Sequence, residues 1–316
     1  MIRDICEMLE FDAEAVAVFE ETLKKIKSDK LLSAKLGEAT EDYFYGNGEA
    51  HTALLGEIAE KTGIHEYTVH MAFLLHCAAP LKDRYKAEGL SDELYLDTMR
   101  DLRYKLDECR NMYGLWGTFV FSWFRRFYLV ERFKLGRLQY ERIPFQYSEY
   151  KGILKEGDTV YNCHIPSSGP LTEESVMASL KEAYSFFRDE LKNGIMPVYC
   201  SSWLLYPPTV ALYSEGSNLK KFYECFDIIT TAEKPDNPDF WRMFYKEYTP
   251  EVLDAVTPRT SMQRAFLGYL KAGGTMGSGK GVILFDGEKI VIDETQCNGC
   301  GLCFNVCPFG AMEKED

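Results

Sequence analysis

Four of the ten cysteines lie close together near the end of the sequence, in the order C-x2-C-x2-C-x3-C, with Pro308 after the last. These four residues are Cys297, Cys300, Cys303 and Cys307. Two intervening residues between successive thiolates let three of them reach three irons of one cubane within a tight loop. Gly299 and Gly301 relieve the backbone strain of such a loop. The spacing therefore predicts a bound [4Fe–4S] cluster.

The competing metal for such a run is zinc. Structural zinc sites usually pair two C-x2-C knuckles across a longer loop, so consecutive short steps disfavour zinc. The run resembles that of bacterial ferredoxins, in whose two-cluster members the cysteine before proline binds the other cluster. This sequence holds no second run. Cys307 therefore either closes the same cluster, or a scattered cysteine, a partner chain or an exogenous ligand supplies the fourth bond.

The other six cysteines are scattered singly: Cys6, Cys77, Cys109, Cys163, Cys200 and Cys225. A disulfide framework is typical of small secreted chains, whereas this sequence has 316 residues. We interpret the six as buried small hydrophobic residues. The first residues lack the apolar core and cleavage site of a secretory signal, which predicts a cytoplasmic protein.

The charge balance restricts the expected partners. The sequence has 36 Lys and Arg against 49 Asp and Glu, a formal net charge of −13. A protein this acidic is not expected to offer the basic face that binds phosphates, so we expect no nucleic-acid partner. It also gains no attraction to an anionic membrane, and its apolar runs are too short to span a bilayer.

The hydrophobic pattern predicts three parts and an α+β (mixed α/β) fold. Residues 1–115 form an all-helical N-terminal domain, and residues 116–285 form a domain with a mixed sheet. Residues 286–316 form a hairpin and a ferredoxin-like cluster segment. Strand–helix–strand alternation in the middle part is typical of a sheet covered by helices.

Local signals support these assignments. Val16, Phe19 and Leu23 recur at three- and four-residue steps, the spacing of one buried helix face. Thr172 is placed to cap a helix whose first turn is acidic. Asp286-Gly287 has the composition of a tight type I′ turn between two strands.

An aromatic stripe with neighbouring arginines follows the helical domain. Its members are Trp116, Phe119, Trp123, Phe127 and Val130, with Arg125, Arg126 and Arg132 among or beside them. A basic aromatic surface could bind nucleic acid or phosphate. A core helix with a charged outer flank has the same pattern, and the acidic composition favours that interpretation.

Several short segments in the middle of the chain resemble those of a known family. They are His164-Ile165-Pro166, Pro170-Leu171-Thr172-Glu173-Glu174, Cys200-Ser201-Ser202-Trp203-Leu204-Leu205 and Thr260-Ser261-Met262-Gln263-Arg264-Ala265. They are similar to phrases of "acyltransferase domain-containing" proteins, which join a helical N-terminal domain to a GNAT-like (N-acetyltransferase-type) domain. The resemblance covers roughly residues 1–285. It implies acyl-CoA-dependent transfer between a small-molecule acyl donor and an acceptor.

Four residues of the middle domain are candidate catalytic groups. His164 shares a predicted strand face with Asn162 and precedes a loop, where an imidazole can act as general base. The alternative for His164 is a hydrogen-bonded structural histidine. Ser201 and Ser202 could present a nucleophile or simply pack a strand end. Glu141 could act on an amine acceptor or be a surface charge.

The sequence departs from the family at one point. Members of the family bind the CoA diphosphate with a characteristic loop, and no segment of this sequence matches that loop cleanly. The nearest glycine-rich run, Gly273–Gly281, is similar to a P-loop, but Gly281 stands where the metal-binding Ser or Thr belongs. We predict that this run is a flexible loop entering a strand.

Two functions remain open at this point. The first is a GNAT-like acyltransferase whose cluster serves electron transfer or redox sensing with a redox partner protein. The second is a non-enzymatic electron carrier or redox sensor whose α/β domain only binds a ligand or partner. A third alternative is that the C-terminal segment has only a structural role and holds the C-terminus in place.

Overall fold

The computed structural model describes residues 2–46 and 50–291. The four clustered cysteines therefore lie outside the described residues. The chain divides into two compact units between Phe133 and Lys134. The predicted boundary near residue 115 stays a prediction. A helical unit followed by a unit with a mixed sheet confirms the predicted α+β class.

The first unit is built from helices whose apolar faces form its core. They are α1 (Ile2–Met8), α2 (Ala13–Ser28), α3 (Lys30–Tyr45), α4 (Ala50–Thr62), α5 (Glu66–Ala87), α6 (Asp92–Tyr113) and the short α7 (Arg125–Tyr128). Val16, Phe19 and Leu23 of α2 are all buried, as their spacing predicts. Ser91 caps α6 by accepting a hydrogen bond from the Leu94 amide at 3.1 Å. None of the described helices is long and apolar enough to cross a membrane.

The aromatic stripe does not form the single core helix that was predicted, although Phe127 and Val130 are buried. A 3-10 helix covers Phe121–Phe124, α7 adds one turn, and Val130 has a positive φ of 60°. The arginine at the end of the stripe is buried rather than on an outer flank. The Arg132 guanidinium lies 4.0 Å from the centroid of the Trp123 ring, and its Nη1 donates to the Trp123 carbonyl at 3.1 Å.

The second unit contains a six-stranded sheet in the order β1-β2-β5-β6-β8-β7 and a separate β3–β4 pair. The strands are β1 (Arg132–Leu135), β2 (Leu138–Pro144), β3 (Glu149–Tyr150), β4 (Leu154–Lys155), β5 (Thr159–His164), β6 (Met196–Ser202), β7 (Asp227–Lys234) and β8 (Met276–Phe285). The helices are α8 (Glu173–Phe187), α9 (Pro207–Val210), α10 (Asn218–Glu224), α11 (Trp241–Phe244), α12 (Val252–Ala255) and α13 (Ser261–Lys271). A capping box formed by Thr260 and Gln263 opens α13.

The β5–α8–β6 crossover forms the centre of this unit. Strands β5 and β6 run parallel, and α8 connects them. The Thr172 hydroxyl caps α8 by accepting from the Ser175 amide at 3.2 Å, and Glu173 and Glu174 occupy the first turn, as predicted. Val176, Leu180, Ala183 and Phe187 form the buried face of the helix. The carboxyl ends of two parallel strands therefore lie side by side.

The glycine-rich run is not a flexible loop, and that prediction is wrong. Strand β8 begins at Met276 and includes most of the run. A Cβ built on Gly279 would lie 1.9 Å from the Leu205 carbonyl oxygen, and one on Gly277 would lie 2.7 Å from the Tyr206 ring. The glycines are needed because the chain after β6 crosses directly over β8.

The turn after β8 differs from the predicted one by a single residue. The Asp286 amide donates to the Lys289 carbonyl at 3.2 Å, so Gly287 and Glu288 occupy the centre of the turn. The Asp286 carboxylate accepts from the amides of Glu288 and Lys289. The returning chain forms one isolated bridge, between Phe285 and Ile290. The rest of the predicted hairpin and cluster segment, from residue 292 onward, lies outside the described residues.

Candidate active site

A buried carboxylate and a partly exposed imidazole meet across β2 and β5. The Glu141 Oε1 and His164 Nε2 atoms are 2.7 Å apart. The Nδ2 atom of Asn162 donates to the same Glu141 oxygen at 2.9 Å and lies 3.1 Å from His164 Nε2. The antiparallel register explains this, because Glu141 lies opposite Asn162, and His164 is two residues further along the same strand face.

The donors and acceptors define how the imidazole is oriented. An amide nitrogen can only donate hydrogen bonds. The Asn162 Nδ2 atom therefore donates to Glu141, and its short distance to His164 Nε2 is a contact without a hydrogen bond. The Glu141 carboxylate then accepts the proton of His164 Nε2, and the basic lone pair resides on Nδ1. The Glu141 side chain is 5% exposed and that of His164 is 20% exposed. A histidine held in this way can act as a general base that a buried acid orients.

The imidazole lies where the parallel strands separate. Strand β5 pairs with β6 at Tyr161–Val198 and Asn162–Tyr199. The strands continue to His164 and Ser202 without further ladder pairs between them in the described part of the chain. Ligands of open α/β sheets bind outside the carboxyl ends of the strands. His164 therefore stands at the edge of the sheet where open α/β sheets bind ligands.

The two candidate serines occupy the end of β6. Ser202 caps the 3-10 turn Trp203–Leu205, and its hydroxyl accepts from the Leu204 amide at 3.2 Å. Ser201 is exposed and pairs with Lys280 in the β6–β8 ladder. The Ser202 hydroxyl thus has a local structural partner, while His164 Nε2 is hydrogen-bonded to Glu141.

The six scattered cysteines are buried and form no disulfide bond among the described residues, in agreement with the sequence interpretation. Burial raises the pKa of the thiols of Cys6, Cys77 and Cys109 to about 12. A metal ligand must be a thiolate, so these groups are poor ligands. Within residues 2–46 and 50–291, no group of three or more His, Cys, Asp or Glu side chains could hold a metal ion.

Three protein-family models match successive parts of this chain. An N-acyltransferase N-terminal domain matches residues 1–129, and a GNAT-like C-terminal domain matches residues 132–283. A 4Fe–4S binding domain matches residues 290–313, a range that includes all four clustered cysteines. The chain joins an acyltransferase-type domain pair to a 4Fe–4S domain. The family resemblance and the cluster prediction are both confirmed, and the His164–Glu141 pair lies in the GNAT-like domain.

Solved structures of acyltransferases share this fold. One, in complex with decanoyl-CoA and teicoplanin, is 21% identical, with a TM-score of 0.68 over 89% of this chain and 87% of that chain. A mutant acyltransferase in complex with octanoyl-CoA is 22% identical, with a TM-score of 0.69 over 88% and 86%. A third, with CoA and 10C-teicoplanin, is 19% identical, with a TM-score of 0.60 over 89% and 98%. Curated proteins give no match.

Sequence reasoning selected His164 and Glu141 as candidates but did not predict their contact. Glu141 was assigned either to an amine acceptor or to a surface charge. The surface alternative is wrong, because Glu141 is 4% exposed and bonded to His164. Pairing the two predicted strands would have revealed this, because Gln139 and Glu141 are polar residues on one face of a buried strand.

Proposed function

We propose that the GNAT-like domain transfers an acyl group from acyl-CoA to an amine, with His164 as general base and Glu141 as its orienting partner. The observation that carries this proposal is the 2.7 Å contact between His164 Nε2 and Glu141 Oε1 at the end of β5. The acyl-CoA complexes of the similar structures support the choice of donor.

The reaction follows from ordinary acyl-transfer chemistry. The amine nitrogen attacks the thioester carbonyl carbon, and His164 Nδ1 accepts the proton that the nitrogen loses. The C–S bond breaks, an amide forms, and the CoA thiolate leaves and takes up a proton. Glu141 holds the ring and stabilises the imidazolium. Direct transfer needs no enzyme nucleophile, which agrees with the turn contact of Ser202.

The 4Fe–4S domain has the ligands for one cluster. The donor set fits the group chemically, since four thiolates are the usual ligands of a [4Fe–4S] cluster. Cys297, Cys300, Cys303 and Cys307 would hold it, and the cluster would supply one-electron redox chemistry. Because the described cysteines are buried thiols, we favour Cys307 as the fourth ligand. We propose electron transfer or redox sensing, with a partner protein, as the role of this domain.

Anaerobically purified full-length protein tests the transfer activity. Decanoyl-CoA is incubated with a panel of primary amines, and mass spectrometry detects the acylated amine. We expect enzyme-dependent amide product together with free CoA. If no amine is acylated and decanoyl-CoA gives no protection against thermal unfolding, the proposal is wrong and the non-enzymatic carrier or sensor is favoured.

Iron and sulfide analysis of the same anaerobic protein tests the cluster. We expect about four irons and four sulfides per chain, with broad absorption at about 400 nm that dithionite bleaches. Cys300→Ser should abolish the colour, and Cys307→Ser should weaken or remove it. An intact cluster in Cys307→Ser would place the fourth ligand elsewhere, and stoichiometric zinc would contradict the assignment.

A further inference from the structure

The loop that follows His164 is held by a single arginine. This loop, Ile165–Leu171, connects β5 to α8. The Arg137 guanidinium donates to three of its carbonyls: from Nη1 to Pro166 at 3.0 Å, from Nη2 to Gly169 at 2.6 Å, and from Nε to Pro170 at 3.1 Å. A planar fork of donors suits such a task, because it satisfies several acceptors at once in a fixed geometry.

Arg137 is itself firmly placed. It lies in the two-residue turn between β1 and β2, after Gly136, whose φ is 62°. A Cβ on Gly136 would lie 3.0 Å from the Ser179 Cα, so the turn rests directly on α8. The Ser179 hydroxyl accepts from the Leu138 amide at 3.0 Å. The arginine therefore connects a packed turn to the loop at the amino end of the same helix.

The loop also contains residues that restrict its backbone. Its two prolines donate no hydrogen bonds, and Gly169 has a φ of 109°, a conformation that only glycine adopts readily. The Ser168 amide donates to the Pro166 carbonyl at 2.8 Å, and the Ser168 hydroxyl is buried with no hydrogen-bond partner among the described residues. A buried hydroxyl of this kind is suited to a polar group of a ligand.

We propose that Arg137 is a positioning residue that fixes the Ile165–Leu171 loop in the conformation that binds acyl-CoA. This inference rests on the proposed transfer function. Three carbonyls turn toward the guanidinium, so the Ser168 hydroxyl is held in place at the end of β5, close in sequence to His164. Arg137 does not touch the reacting atoms. Its loss should therefore weaken substrate binding and leave the chemical step nearly unchanged.

Arg137→Met tests the proposal in the full-length anaerobic protein. Hydrogen exchange of peptides covering 165–171 should be about tenfold faster or more, because three charge-assisted hydrogen bonds are lost. The KM for decanoyl-CoA should rise about tenfold, with kcat within about threefold of the wild type. Arg137→Lys should be intermediate, because an ammonium group lacks the fork but can keep a carbonyl contact. Ser168→Ala should raise KM without faster exchange.

Arg142→Met is the matched control. Arg142 lies on β2, the strand that follows the Arg137 turn, and pairs with Glu190 away from the loop. It should leave both loop exchange and KM unchanged. Unchanged exchange in Arg137→Met would overturn the proposed clamp, and faster exchange with an unchanged KM would overturn its role in binding. The two proposals can fail separately. Absence of transfer activity in the wild type would refute the proposed function, whereas the exchange result tests only whether Arg137 holds the loop.

Discussion

Two histidine–carboxylate pairs in this chain have similar contacts but opposite burial. In the helical unit, His51 Nδ1 lies 2.5 Å from Asp42 Oδ2, and the histidine side chain is the less exposed partner, at 9% against 17%. In the GNAT-like domain the carboxylate is the less exposed, with Glu141 at 5% and His164 at 20%. A buried acid leaves its imidazole accessible, whereas a buried imidazole is largely removed from any substrate.

The surroundings of the helical pair give it a structural task. The Asp42 carboxylate also accepts from the His51 backbone amide at 2.9 Å, so it joins the end of α3 to the first turn of α4. Arg125 donates to the Asp42 carbonyl at 3.1 Å and the Gly46 carbonyl at 2.7 Å, which satisfies the free end of α3. The hydrogen bond alone therefore does not separate a structural pair from the proposed catalytic pair, whereas the direction of burial does separate the two pairs.

Replacing the two histidines should separate the pairs most strongly. His164→Asn should lower kcat for acyl transfer by about 100- to 10,000-fold, because the general base is lost. His51→Asn should keep kcat within about threefold and lower the melting temperature instead. Steady-state kinetics and thermal unfolding of both variants provide the measurement. Equal losses of activity would remove the distinction between the pairs.

Replacing the two acids should give the next largest effect. Glu141→Gln keeps the shape of the side chain but removes the charge that stabilises the imidazolium, so we expect kcat to fall by about 10- to 100-fold. Folding should be retained, as monitored by circular dichroism. A fully active Glu141→Gln enzyme would show that His164 needs no buried carboxylate.

Asp42→Asn should affect stability rather than rate. The hydrogen bonds from His51 hold the pKa of the Asp42 carboxyl below its usual range. A carboxyl whose pKa is lower in the folded state than in the unfolded state stabilises the fold at a pH above its unfolded-state pKa. This stabilisation is lost as the pH falls through the folded-state pKa. We therefore expect a loss of about 1 to 2 kcal/mol in unfolding free energy at pH 7, shrinking toward pH 3. Urea unfolding at both pH values checks this; a pH-independent difference would contradict it.

A smaller pH effect is expected from His76 in the helical unit. Burial, aided by Lys27 at 3.4 Å, lowers the pKa of His76 to about 4. The fold favours the neutral ring, so its contribution is present above the unfolded pKa of about 6.5 and is lost as the pH falls toward about 4. His76→Gln should flatten this decline by about 1 kcal/mol. Urea titrations between pH 7 and pH 4 measure the unfolding free energy of both proteins. If its pH dependence is the same in His76→Gln as in the wild type, His76 is not the cause of the decline.

Much of the fold was predictable because its local signals are strong. The helix caps at Ser91, Thr172 and Thr260 and the buried face of α2 follow from composition and spacing alone. The glycines of β8 were misread because their cause is a crossing chain segment, Trp203–Tyr206, far away in sequence. No local pattern reports such a contact.

The candidate site was predictable only in part, for a similar reason. His164, Glu141 and the serines could be selected by residue type, but strand register decides which of them meet. The role of Arg137 in holding the next loop depends on a turn about thirty residues earlier, which sequence spacing did not indicate. The cysteine run needed no tertiary information, since its ligands lie within one short segment.

Hydrogen exchange of the anaerobic protein with saturating decanoyl-CoA tests the central claim most directly. The claim is that acyl-CoA binds at the carboxyl ends of β5 and β6, beside His164. We predict protection of peptides covering residues 162–172 and 199–206, with helices α2–α5 unchanged. Protection confined to the helical unit, or none at all, would contradict the account.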